Sequence, residues 1–100
     1  MASYGTIMIG KLAAGASESD WQRGIQEWKT ERKAAGFIDE YVLASDDGKT
    51  IVSCVVFESK DAYLALANDP EQDKWYQAKV APMLDGDPQW IDGTWPDQPD

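Results

Sequence analysis

The order in which strand-like and helix-like periodicities succeed one another constrains this chain more than any single motif. Residues 4–12 (YGTIMIGKL) are short, partly β-branched and closed by a run of alanine and glycine, which reads as a strand. Ser17 followed three residues later by Asp20 matches a capping box, and Trp21, Ile25 and Trp28 then recur at helical spacing up to the stop at Gly36. Residues 37–44 and 51–57 are two β-prone runs joined by Ser45-Asp46-Asp47-Gly48-Lys49-Thr50, whose Asp-Gly pair suits the positive φ angles of a tight hairpin. Ser59-Lys60-Asp61 opens a second helical region, which Asn68-Asp69-Pro70 breaks. Asp69 reads as a fresh N-cap with Pro70 in the first turn of a segment running toward Val80. Residues 89–95 (QWIDGTW) read as a last strand.

Strand, helix, strand, strand, helix, strand is the order of a βαββαβ, ferredoxin-like α+β fold. It predicts a four-stranded antiparallel sheet with the helices on one face. At 100 residues one domain spanning 1–100 is expected, with an acidic tail at 96–100. Alternation assigns Ile7, Ile9, Ile38, Val42, Val52, Cys54 and Val56 to the face beneath the helices, as the uniformly apolar set. The other face then carries Tyr4, Thr6, Met8, Tyr41, Leu43, Ser53, Val55, Phe57, Trp90 and Asp92. That second set is too apolar to be left to water and marks an interface or a ligand site.

Composition removes several function classes. With 18 acidic and 9 basic side chains the net charge is −9, which repels a nucleic-acid backbone. The chain has no histidine, so imidazole zinc sites, a Ser-His-Asp triad and a histidine-ligated haem are excluded. Its one cysteine, Cys54, excludes an internal disulfide and fits a cytoplasmic protein, as does the lack of a basic, apolar leader or a membrane-length apolar run. Cys54 itself reads as a small hydrophobe in an apolar strand. The Asp-Gly segments at 46–48 and 85–87 are explained by turn chemistry and lack the spacing of a calcium loop, and no phosphate-binding glycine loop is present. From Asp85 onward there are five acids and no bases, so the charge is concentrated at the C-terminal margin.

Several local sequences, in this order and spacing, resemble the dimeric α/β-barrel superfamily and, within it, domains of the antibiotic-biosynthesis-monooxygenase type. They are the small-residue loop into an acidic, aromatic helix start (residues 13–21), the Gly36-Phe37 junction, the strand-to-helix passage at residues 55–63, and Asn68-Asp69-Pro70 ahead of Trp75. The resemblance implies a homodimer whose two sheets pack face to face into a barrel, with a cavity in each half for a small, often aromatic, ligand. Relatives that degrade haem carry a histidine one turn beyond an aromatic residue of the second helix and an asparagine in the first strand. Here Lys79 stands four residues after Trp75 and residues 4–12 contain no asparagine, so that activity is set aside.

The resemblance further implies a polyketide-like or other aromatic substrate that reacts with oxygen, or is isomerised, without cofactor or metal in a dry pocket. Asp92 and Tyr41 are the candidate catalytic groups, as base or hydrogen-bond partner, and Tyr4, Thr6, Met8, Ser53, Phe57 and Trp90 the candidate pocket. Plainer accounts stand beside these: a solvated strand-end carboxylate for Asp92, and an amphipathic interface role for Tyr41 and Tyr4. Trp21, Trp28 and Trp75 read as core or dimer packing, and Trp95 as an interface anchor. The alternative for the whole chain is a non-catalytic binding or assembly protein whose second sheet face is filled by its dimer partner.

Overall fold

In the computed structural model, which describes residues 3–32 and 34–95, strand β1 (Ser3–Lys11) leads into helix α1 (Glu18–Arg32) through a reciprocal cap. The Asp20 N–H donates to Ser17 Oγ and the Ser17 N–H to Asp20 Oδ2, both at 3.2 Å, which satisfies donors that a helix start leaves unpaired. Gly36, at φ 77°, turns the chain into β2 (Phe37–Ala44), and Gly48, at φ 72°, closes the hairpin to β3 (Thr50–Phe57). Helix α2 (Lys60–Ala67) is capped by Ser59 and α3 (Pro70–Trp75) by Asp69 with Pro70 behind it. A wider π-type turn, Tyr76–Val80, and a tight turn, Ala81–Met83, carry the chain to β4 (Gln89–Trp95). The expected acidic tail, 96–100, lies outside the described residues.

The sheet has the order β2-β3-β1-β4 with every neighbour antiparallel, and the helices cover one face. This is the α+β ferredoxin-like arrangement. No helix among the described residues is long and apolar enough to cross a membrane.

The assignment of sheet faces is corrected by the register. Met8 and Ile51 are buried in one cluster with Trp21 and Ile25 of α1 and with Val80 and Leu84, so β1 and β3 turn Tyr4, Thr6, Met8, Ile51, Ser53, Val55 and Phe57 toward the helices. Ile7, Ile9, Val52, Cys54 and Val56 point the other way, onto the open face. Ranking faces by uniform apolarity misleads here because the covered face carries polar groups that find partners inside. Thr6 Oγ1 donates to the Ile91 carbonyl at 3.2 Å, and the Ser53 hydroxyl donates to the Glu40 carboxylate.

A second cause lies in β2. Phe37 pairs with Phe57 but Asp39 pairs with Val56, so Ile38 is an extra residue that shifts the register by one. Beyond the bulge, Glu40, Val42 and Ala44 face the helices while Tyr41 and Leu43 join the open face, where they are 62% and 63% exposed. Ile38, also expected beneath the helices, is 56% exposed.

Trp95 folds over the open face at β1 and donates its indole N–H to the Val55 carbonyl at 3.1 Å. Gly5 is what admits this approach: a Cβ there would stand 1.8 Å from the Val55 oxygen and 2.7 Å from the Trp95 nitrogen.

Candidate functional site

Between the inner sheet face and the helices lies a cavity of about 360 Å³, within the volume range of small-molecule sites. Its walls are rich in aromatic rings, for a reason visible in the elements. Trp28 from the last half of α1, Trp75 from the end of α3 and Phe57 from the end of β3 converge on it, and Tyr76 and Trp90 also line it. The rings support one another. Trp28 lies edge-on to Phe37 at 5.0 Å and 6.2 Å from Trp75, Phe57 lies edge-on to Tyr63 at 5.7 Å, and Tyr76 sits 5.9 Å from Trp90. Trp28 Nε1 donates to Gln72 Oε1 at 2.9 Å, tying α1 to α3 across the cavity.

Polar groups interrupt this lining at Thr6, Glu40, Ser53, Gln72, Asp73 and Gln77. Glu40 enters it because the bulge at Ile38 turns it inward, opposite Val55 and beside Ser53. Burial raises the Glu40 carboxyl above the ordinary glutamate value of 4.5, and the hydrogen bond from Ser53 only partly opposes that shift. Lys29 of α1, whose charge acts on Glu40 without contact, makes its ion pair elsewhere: its Nζ lies 3.2 Å from Asp39 Oδ1. Asp39 is held below its usual range first by the Glu40 backbone N–H and then by Lys29. Tyr63 of α2 also lines the cavity, with its hydroxyl donating to Asp92 Oδ1 at 3.0 Å. Burial, and then that bond, push its phenol up to about 12, so it is a neutral hydrogen-bonding group at ordinary pH. Trp21 closes the cavity on the core side, and its buried Nε1 has no hydrogen-bond partner among the described residues. No group of three or more acidic or cysteine side chains among the described residues is placed to hold a metal ion.

Of the residues singled out from sequence, Thr6, Met8, Ser53, Phe57 and Trp90 line this cavity. They do so beneath the chain's own helices, not on the face where an opposed sheet would meet them. Tyr4 packs against Tyr63 at 5.5 Å, outside the lining itself, and exposed Asp92 reaches the cavity only through the Tyr63 hydroxyl. Tyr41 is not brought to it, because the register places Tyr41 opposite Cys54 on the open face. Glu40, Tyr63 and Gln72 escaped the sequence reading. Glu40 depends on a bulge that alternation does not reveal, and the other two lie on helices whose distance from the sheet no local pattern sets.

No protein-family model matches the chain, and no curated protein matches it in sequence. Solved structures do match its fold over nearly the whole length. A monooxygenase from Streptomyces coelicolor, in complex with nanaomycin D, is similar at TM-score 0.71 and 19% identity, over 97% of this chain and 90% of the other. SnoaB, a cofactor-independent oxygenase from Streptomyces nogalater, is similar at TM-score 0.69 and 12% identity, over 100% and 97%. A hydroxynitrile lyase from Passiflora edulis is similar at TM-score 0.71 and 11% identity, over 96% and 95%, so the backbone alone does not fix the reaction. The chain shares the ferredoxin-like α+β fold of these solved structures.

Proposed function

We propose that the chain takes a small, planar, hydroxylated aromatic molecule into the cavity between sheet and helices and oxygenates it with molecular oxygen and no cofactor. The observation that carries this reading is the cavity itself: a lining that combines aromatic rings, among them Trp28, Phe57, Trp75 and Trp90, with polar groups that include Glu40, Ser53, Thr6 and Tyr63. Such a lining binds a flat ring by stacking and orients it by hydrogen bonds. The fold neighbours named above, one holding nanaomycin D and one a cofactor-independent oxygenase, lend support. Electron balance permits the reaction without a reductant. One oxygen atom of O₂ enters the ring of a phenol as a quinone oxygen, the other leaves as water, and the substrate supplies every electron. The protein's share is to desolvate the substrate, hold it and move a proton. In this reading Asp92 positions Tyr63, and Tyr41 belongs to the open face.

The same reading places a second copy of the chain on that open face. Ile7, Ile9, Val52, Cys54 and Val56 form its centre, with Tyr41, Leu43, Ile38 and Ile91 exposed around them. This is the patch that association would remove from water.

Oxygen uptake across a panel of phenols and quinols, measured with chelator present, tests the catalytic reading. Tryptophan fluorescence quenching in the same samples reports occupancy. Saturable quenching together with uptake above the rate without protein is the expected result. Quenching with no uptake for any compound sinks oxygenation and leaves a binding protein, and the absence of quenching sinks the pocket.

A further inference from the structure

Glu40 presents the cavity with a carboxylate that no cation among the described residues neutralises by contact. It sits on the inner face of β2, directly beyond the bulge, and its partner is the neutral hydroxyl of Ser53 from β3. Among the described residues, the other charged or titratable groups on this lining or beside it have another occupation or are of the wrong kind. Lys29 of α1 pairs with Asp39 of β2. Asp73 of α3 is on the lining but exposed, whereas burial raises the phenols of Tyr63 in α2 and Tyr76 after α3, so both stay protonated at ordinary pH.

From this placement we infer that Glu40 is the proton acceptor for a ring hydroxyl of the bound substrate, which makes the ligand class an ionisable phenol. The inference rests on the aromatic-pocket reading above and gives it a specific residue. In the step, the substrate O–H bond breaks, the proton passes to a Glu40 carboxylate oxygen, and the bonding pair stays on the ring oxygen as phenolate. The Ser53 hydroxyl can donate to Glu40 before and after the transfer. One negative charge is present throughout, so the step relocates a charge within the cavity instead of creating one there, which avoids a second desolvation cost. Burial that disfavours the carboxylate brings its proton affinity closer to that of an acidic phenol, as efficient proton transfer requires.

The test uses 4-nitrophenol, whose phenolate absorbs at longer wavelength than the phenol, added anaerobically to wild type and to Glu40→Gln. The substituted amide is neutral and its oxygen still accepts the Ser53 hydrogen bond, so the variant keeps the fold, which circular dichroism checks. About one pH unit below the probe's own pKa, roughly a tenth of the probe in solution is ionised. Bound to wild type, the ionised fraction is expected to be several-fold higher. Bound to E40Q, it should be no higher than in solution, with dissociation constants within about threefold of each other. Binding to wild type without excess phenolate overturns the inference and leaves the pocket standing, and so does excess phenolate that persists in E40Q. Failure of the probe to bind wild type overturns both readings. The wild-type measurement decides the matter even if the variant does not fold.

Discussion

Glu40 is a carboxyl that the fold desolvates with no cation in contact among the described residues, and that has a consequence for stability as well as for chemistry. Its carboxyl is raised above the ordinary value of 4.5 by burial, against the hydrogen bond from Ser53. A raised carboxyl means that the folded chain holds the proton more tightly than the unfolded chain does. The associated stability is present in full below the ordinary glutamate value and is lost as pH rises through the raised one. Above that window the folded protein carries a buried carboxylate whose desolvation one hydroxyl does not offset. Glu40→Gln removes this cost, so its Tm should exceed that of wild type by a few degrees at pH 8. The difference should shrink toward zero near pH 4. Asp39, whose carboxyl is shifted downward, titrates in both proteins and cancels from the comparison. Thermal melts of the two proteins at both pH values check this, and a constant Tm difference would mean that Glu40 is not the group responsible.

At the scale of elements, the cavity depends on α1 and α3 being held apart at a fixed spacing. The Trp28–Gln72 hydrogen bond is the polar contact that spans them, while the Trp28 and Trp75 rings fill the space beside it. A part-buried bond of this kind should give a coupling free energy of about 1 kcal/mol in a double-mutant cycle of Trp28→Phe and Gln72→Leu, read by urea unfolding. Strictly additive single effects would show that the two helices are not joined there in solution. The elements themselves were legible in the sequence because their signals are local. The Ser17/Asp20 box, the Ser59 cap, Asp69 ahead of Pro70 and the Asp47-Gly48 hairpin each do in the fold what their chemistry suggests. Sheet faces were not legible, since which side of β1 meets a helix is decided by packing between distant segments. The extra residue at Ile38 carries no composition signal, yet it alone reverses the facing of Glu40 relative to Phe37. The pocket residues of β1 and β3 could therefore be picked out as a set while the side on which they form a pocket was misplaced.

At the scale of the whole molecule, two long-range features oppose each other. The open sheet face presents Ile7, Ile9, Val52, Cys54 and Val56 with Tyr41 and Leu43 standing exposed beside them, an apolar surface that favours association with a second copy. The chain also carries a net charge of −9, so two copies approach against mutual repulsion. Hydrophobic contact is insensitive to modest salt, whereas repulsion between exposed charges is screened within roughly 10 Å at 0.1 M and roughly 3 Å at 1 M salt. The proposed dimer should therefore tighten as salt is raised, the reverse of an assembly held by ion pairs. Sedimentation equilibrium from about 0.02 to about 0.5 M sodium chloride should show a dimer whose dissociation constant falls several-fold across the series. Leu43→Asp, which sets a charge in the apolar patch at a site already exposed in the single chain, should leave the melting temperature of the monomer little changed and abolish the dimer at every salt concentration. A dimer that loosens with salt, or that survives Leu43→Asp, would place the contact on some surface other than the open sheet.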